Sequence, residues 1–354
     1  MEISADFCGG NIRVIDIREE EIIIERDMRD SSGTWFYWAF CVRGAQGRKI
    51  RFRFASSPRV GRFGPAVSHD LKTWEWLGKA ESDSFDSFSY TFAPYEQEVW
   101  FAHNMLYLPE YFFDFAAENG LEVHTLCKTE LGRELPYVSF GGGSKNIILT
   151  ARHHCCESTG SYVLEGVIKR FLEKKPDFNV IAVPFVDYDG VCCGDQGKNR
   201  IPHDHNRDYD GEPLYASVRA IKELTSDKDI RFAFDFHSPS HMGGRNDTPF
   251  IVRKSSSEAL AEFSNIFEAC ILDGAFVYKA ENDILPGVEW NKISAVPQTF
   301  AQYFMSRGAE LAFTLETPYF GRECDKVSAD KLRLLGKSFA DAVIKFDEKA
   351  LIKK

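Results

Sequence analysis

The chain reads as two domains of different class: an all-β antiparallel sandwich over residues 1–107, then an α/β domain over residues 108–354 with a mixed, largely parallel sheet flanked by helices. Three observations predict this. The 354 residues exceed what a single hydrophobic core usually serves. As far as Tyr107, short runs rich in aromatic and β-branched residues are broken by Gly, Ser, Asp and Pro, with no long helical pattern among them. Beyond Pro109, helical and strand patterns alternate.

In the first part the strand-like runs are Ile12–Ile17, Glu21–Glu25, Thr34–Val42, Lys49–Phe54, Phe88–Phe92 and Glu98–Ala102, a spacing that predicts about seven to nine strands. Nearly every residue from Trp35 to Phe40 is apolar, so that strand is expected to be covered on both faces. The second part opens with a helix from Pro109, whose fixed φ suits a first helical turn, to Asn119-Gly120, which ends it. Strands are expected at Leu121–Thr125, Leu135–Phe140, Asn146–Ala151, Asn179–Val186, Ile230–Phe236 and Ala309–Thr317. Helices are expected at Ser161–Lys174, Glu212–Leu224, Ser256–Ile271 and Ser328–Phe346.

Composition narrows the function. With 44% hydrophobic and 14% aromatic residues there is material for two cores. A net charge of -10 argues against broad binding to nucleic acid or to an anionic membrane surface. No run approaches the roughly 18 to 20 apolar residues that span a bilayer, and MEISADFCGG lacks the basic-then-apolar order of an export signal. Nine cysteines, including the vicinal pairs Cys155-Cys156 and Cys192-Cys193, are poor material for a disulfide framework, so a reducing cytoplasm is expected.

The chemistry lies in residues that end apolar strands. His154 and Glu157, three apart, follow Ile147–Ala151, and His237 ends Phe232–Phe236. In an open α/β sheet, ligands bind beyond the carboxyl ends of the strands, so these are functional positions. Two imidazoles and one carboxylate form a three-ligand zinc site with an open fourth position. Asp204 is a candidate to hold the far ring nitrogen of a ligand histidine. Cys155 and Cys156 are rival ligands. Glu316 ends the apolar run Leu311–Glu316, where a carboxylate is costly unless it has a task, and general-base work is one such task. The pair Asn206-Arg207 has the groups to grip a carboxylate, although a loop arginine capping nearby chain is the plainer alternative.

The ordered motifs are Ala151-Arg152-His153-His154-Cys155-Cys156-Glu157-Ser158, Asp187-Tyr188-Asp189-Gly190-Val191, Asp204-His205-Asn206-Arg207, Phe234-Asp235-Phe236-His237-Ser238 and Phe313-Thr314-Leu315-Glu316-Thr317. With Gly33-Thr34-Trp35-Phe36-Tyr37 and Gly64-Pro65-Ala66-Val67-Ser68 in the sandwich, this set resembles the M14 (funnelin) zinc carboxypeptidases, specifically the cytosolic carboxypeptidase branch. The resemblance implies one zinc ion on His154, Glu157 and His237, with Glu316 as the base that activates the attacking water. It implies that Arg200 stabilises the oxyanion, that Asn206 and Arg207 bind the terminal carboxylate, and that Thr314 belongs with the substrate-binding residues. The implied substrate is the C-terminus of a peptide or protein, or a branched glutamyl chain.

Departures from the pattern bear on the substrate. Cys155-Cys156 stands where the branch has Pro-Gly. Counted without gaps from Glu316, the position that sets side-chain preference is Ala301, where enzymes removing glutamate carry an arginine. Arg307, Lys292 and Arg253 are other sources of charge. The family's substrate-covering tyrosine falls on Ser294, with Tyr303 and Tyr319 as substitutes. Two alternatives stay open: a zinc amidase or deacylase on small acyl-amino acids, and a binding protein of the same fold without catalysis. The oligomeric state is not legible.

Overall fold

The structure is a computed structural model and describes residues 1–56, 60–78, 85–291 and 298–352. It contains two compact units, Met1–Tyr111 with Gly190–Ile201, and Phe112–Asp189 with Pro202–Lys354. Gly190–Ile201, read from the sequence as part of the second domain, therefore belongs to the first. The hydrogen bonds explain why: Gly9 N donates to Cys192 O (3.0 Å), Asn11 Nδ2 to Gly194 O (2.7 Å), and Tyr37 N to Gln196 Oε1 (2.9 Å).

The first unit is a sandwich of β1 (Glu2–Ser4), β2 (Arg13–Ile17), β3 (Glu21–Glu25), β4 (Ala39–Arg43), β5 (Lys49–Phe54), β6 (Ala66–Ser68), β7 (Glu75–Trp76), β8 (Ser87–Thr91) and β9 (Glu98–Ala102). One sheet has the order β1-β4-β9-β6-β7 and the other β2-β3-β5-β8. Period-two alternation drives the packing. In β5, Ile50, Phe52 and Phe54 are buried while Lys49 and Arg51 face out. The inward side chains of both sheets share one core that includes Ile22, Phe40, Phe52, Phe88 and Phe101. Pairing departs from the antiparallel expectation at β3 and β5, which run parallel. The run Thr34–Val42 becomes a strand only at Ala39. Before it, the Gln196 side chain serves Tyr37 N and O in place of a neighbouring strand, although the residues from Phe36 on are buried as expected.

After α1 (Pro109–Glu118), the second unit contains β10 (Val123–Lys128), β11 (Glu134–Gly141), β12 (Lys145–Ala151), α2 (Thr159–Lys174), β13 (Phe178–Val183), α3 (Tyr188–Cys193, reaching into the first unit), α4 (Ala216–Leu224), β14 (Ile230–His237), β15 (Phe250–Val252), α5 (Glu258–Ala269), α6 (Phe300–Ser306), β16 (Leu311–Glu316) and α7 (Ala329–Ile352). The sheet order is β10-β11-β13-β12-β14-β16-β15. Its centre, β13-β12-β14-β16, is parallel, whereas β10, β11 and β15 join antiparallel, so the sheet is mixed with its parallel part in the middle. Short α3, β15 and α6 were not legible in the sequence pattern.

Alternation along β14 builds both faces of the sheet. Ala233 packs with Ile148, Ala312, Val218 of α4 and Phe300 of α6. Phe234 meets Phe263 of α5 and Phe339 of α7 on the other face, with ring centroids 6.1 and 5.0 Å away. Helices α2 and α7 lie so close that a Cβ on Gly166 would fall 2.1 Å from Arg333 O, and one on Gly336 2.1 Å from Val163 O. Among the described residues, no helix is long and apolar enough to cross a membrane.

Candidate metal centre

Parallel pairing brings the carboxyl ends of β12, β14 and β16 together, with Ala151 opposite Phe236 and His237 opposite Glu316. The chain leaves β12 through Arg152, which holds φ +63° in the left-handed region that costs a side-chain-bearing residue energy. Its buried guanidinium donates through Nε and Nη2 to Cys155 O, the former at 2.7 Å, and fastens the turn carrying His154 and Glu157. Glu157 N closes that turn on His154 O at 3.1 Å. On the far side, α2 packs tightly on β14: a Cβ at Gly160 would lie 2.6 Å from Phe236 O. Thr159 Oγ1 joins Ser238 Oγ (2.5 Å) and Thr317 Oγ1 (3.0 Å), tying the strand ends to the helix.

At the centre, His154 Nδ1 lies 2.9 Å from Glu157 Oε1 and His237 Nδ1 2.7 Å from Glu157 Oε2. Ser238 N also donates to Oε2 at 3.1 Å. The two imidazole rings stand 4.9 Å apart at 75°. One potential ligand atom from each of His154, Glu157 and His237 falls within 4.8 Å of the others.

The far ring nitrogens point at carboxylates. His154 Nε2 is 3.6 Å from Asp204 Oδ1, and His237 Nε2 is 2.5 Å from Asp235 Oδ2. Two nitrogen donors and a carboxylate, each imidazole backed by a second carboxylate, is the donor chemistry of a zinc site. A second group, His153, Asp235 and His237, also has metal-capable spacing, but its members are fully buried and already joined to one another by hydrogen bonds. Neither group includes a cysteine, and Cys155 and Cys156 are buried, Cys156 Sγ facing Tyr319 OH at 3.8 Å.

The charges reflect this arrangement. Burial disfavours protonation of His154, yet Glu157 and Asp204 outweigh it and raise its pKa. For His237 burial is likewise overcome, by Asp235 and Glu157, and its pKa lies well above the usual value. Burial raises the Asp204 and Asp235 carboxyls, but His154 with Arg207, and His153 with His237, hold them well below the usual range.

Around the centre, Asp204 Oδ1 also caps the turn His205–Arg207, accepting from Asn206 N at 3.0 Å. Asn206 turns Nδ2 toward His237 Nε2 (3.4 Å) and accepts from Phe300 N at Oδ1 (3.1 Å). Glu316 is buried, with 8% exposure, at the end of β16, and Thr314 lies two residues earlier on the same face, opposite Asp235. Half-buried Lys254, unforeseen from the sequence, donates to Asn291 Oδ1 at 2.9 Å. Burial and the Arg207 charge pull its ammonium down to about 8 against the opposing attraction of Glu316.

Arg200 belongs to the first unit and pairs there with Asp195 (3.2 Å) and Asp30 (3.5 Å). Ala301 is 1% exposed and packs in the core beside the sheet, so it presents no open pocket wall. Arg253 is engaged by Asp283 at 2.8 Å, and Arg307 by Ser226 O at 2.9 Å. Tyr319 is fully buried, while Tyr303 OH accepts from Arg307 Nη1 at 3.3 Å. Lys292 and Ser294 lie outside the described residues.

The fold and the donor set define a class, the metallocarboxypeptidase fold preceded by a β-sandwich. A carboxypeptidase A-like protein from Shewanella denitrificans superposes with a TM-score of 0.81 at 19% identity, over 98% of this chain and 99% of that one. A Pseudomonas aeruginosa metallo-carboxypeptidase, solved with (2-guanidinoethylmercapto)succinic acid, gives 0.77 at 20% identity over 99% and 100%. Residues 3–103 match the cytosolic carboxypeptidase N-terminal domain, in keeping with the resemblance carried by the motifs. Cytosolic carboxypeptidase 2 of Xenopus tropicalis is 22% identical over 315 residues, covering 78% of this chain. The chain spans about a third (32%) of that relative's length.

Proposed function

We propose that the chain is a zinc-dependent metallocarboxypeptidase that removes one residue from the C-terminus of a peptide or protein, or from a branched glutamyl chain. The observation that carries this reading is the convergence of His154 Nδ1 and His237 Nδ1 on the two oxygens of Glu157, at 2.9 and 2.7 Å. His154, Glu157 and His237 hold the ion. Zinc, when bound, supplies Lewis acidity that makes water acidic near neutral pH and polarises a carbonyl. Glu316 takes the proton from the attacking water and returns it to the leaving amine. Asn206 and Arg207 clamp the terminal carboxylate, which fixes the scissile bond in place.

Arg200 is kept as the oxyanion partner on the family resemblance alone. Side-chain recognition passes from Ala301 to Thr314 and Lys254, an assignment supported by the core position of Ala301 and by the charge coupling of Lys254 to Arg207 and Glu316. A cytosolic location is supported by the name of the Xenopus relative and by nine free cysteines.

The test is C-terminal release from a peptide library with added zinc, read by mass spectrometry beside a panel of acyl-amino acids. Single-residue C-terminal losses are expected. Hydrolysis confined to the acyl-amino acids would make the protein an amidase, and no hydrolysis of either would end the enzymatic reading.

A further inference from the structure

Beside the metal centre runs a buried chain of polar groups that the proposed reaction does not use. Asp235 receives three partners: His153 Nδ1 at Oδ1 (2.8 Å), Thr150 Oγ1 at Oδ1 (2.8 Å), and His237 Nε2 at Oδ2 (2.5 Å). The other nitrogen of His153 meets Tyr209 OH at 2.8 Å. Asp235, His153 and Thr150 are fully buried, and Tyr209 and His237 keep 1% and 2% exposure. The rings of His153 and His237 lie nearly parallel, 5.9 Å apart at 7°, on either side of the carboxylate they share.

The donors and acceptors leave one consistent arrangement of protons. Burial keeps the Tyr209 phenol protonated, so its O–H donates to His153 Nε2. His153 Nδ1 faces the carboxylate, so the ring proton there donates to Asp235 Oδ1, and Nε2 is left to accept from Tyr209. Asp235 then accepts from His237 Nε2–H, so the nitrogen that gives up its proton to an ion is Nδ1, the one facing Glu157. An Asp235 carboxylate with one oxygen occupied by two fixed donors cannot swing away from His237. A ligand histidine needs this tautomer and this ring orientation.

We propose that His153, oriented by Tyr209, is a positioning residue for the metal centre: through Asp235 it fixes the His237 ring so that Nδ1 stays presented to the ion. The role rests on the metal-centre reading above. It differs from ligation, because both His153 nitrogens are already committed to Asp235 and Tyr209.

The test is zinc affinity of the whole chain, measured by competition with a chromophoric chelator and independent of any peptidase assay. Removal of a partner that orients a metal ligand typically weakens the metal about 10–100-fold. His153→Leu keeps bulk but removes the donor to Asp235, and a loss of that size is expected. His153→Asn places an amide N–H where Nδ1–H stood, so affinity within about threefold of the parent is expected. Tyr209→Phe, which only frees His153 to turn, should fall between the two.

A merely structural role would lower the melting temperature of the metal-free chain alike in the Leu and Asn variants and leave zinc affinity flat. Parental affinity in a folded His153→Leu chain would overturn the proposal. Should that variant fail to fold, a tenfold or greater loss in His153→Asn would overturn it. No zinc binding by the parent would instead remove the metal centre, and this role with it.

Discussion

His237 Nδ1 lies 2.7 Å from Glu157 Oε2 although eighty residues separate them, and that approach is fixed by the parallel pairing of β12 with β14. In the metal-free chain both His237 and His154 have raised pKa values, so protons hold the nitrogens an ion needs. Zinc must displace them. Affinity is therefore expected to fall as pH drops, and binding near pH 7 should release more than one proton. Calorimetry in buffers of different ionisation enthalpy reads this number, and zero release would contradict the ligand assignment.

Glu316→Gln should leave zinc bound and reduce turnover by about 10²–10⁴-fold, the usual worth of a positioned base. Glu316 stands beside His237 in the register but outside the set whose donor atoms converge with it, which is why metal content and rate should separate. Metal analysis and single-turnover kinetics on one preparation check the separation. Parental turnover would remove Glu316 from the chemistry.

Arg207→Ala should raise KM by about 10–100-fold for peptides with a free carboxylate, the range of a lost charge-assisted hydrogen bond. Arg207→Lys should recover little, because an ammonium lacks the planar fork. C-terminally amidated peptides should be poor substrates for the parent and no worse for the variant.

What the sequence makes legible follows from periodicity. Long apolar strands locate Ala151, His237 and Glu316 at their carboxyl ends, and the positions of His154 and Glu157 follow from the first. Asp235 was equally visible as a carboxylate inside Phe232–Phe236, two residues before His237 and so on the same face, but only the three-dimensional pairing reveals that His153 shares it. The backing carboxylate expected from Asp204 stands near His154 at 3.6 Å, while His237 uses Asp235. Lys254 was hidden because β15 has only three residues, too short for a pattern. The tie of Gly190–Ile201 to the first unit is not legible, because it is made by backbone and amide hydrogen bonds that follow no apolar period.

Gly160→Ala tests the packing that seats the centre. The added methyl would meet Phe236 O at 2.6 Å and His237 N at 3.1 Å, both backbone atoms of β14 that cannot rotate away. Overpacking of this kind costs about 1–3 kcal/mol, so denaturant midpoints should fall. Zinc affinity should fall too, because the strain enters the chain at His237. A stability loss with unchanged zinc binding would mean that α2 yields instead of β14.

Lys254 supplies a pH dependence of opposite sense to that of metal binding. Its ammonium, drawn down to about 8 by burial and by Arg207, is charged below that value and neutral above it. An anionic substrate near Arg207 and Glu316 should therefore bind more weakly as pH climbs through about 8, visible as a rise in KM on zinc-saturated enzyme. In Lys254→Met the group that titrates is gone, so KM for the same peptide should be higher at pH 7 and should lack that rise. Peptides ending in glutamate and in alanine separate the two ways the charge can act. An effect restricted to glutamate places Lys254 against the substrate side chain, whereas an equal effect on both places it against the terminal carboxylate. Identical profiles for parent and variant would remove Lys254 from substrate binding altogether.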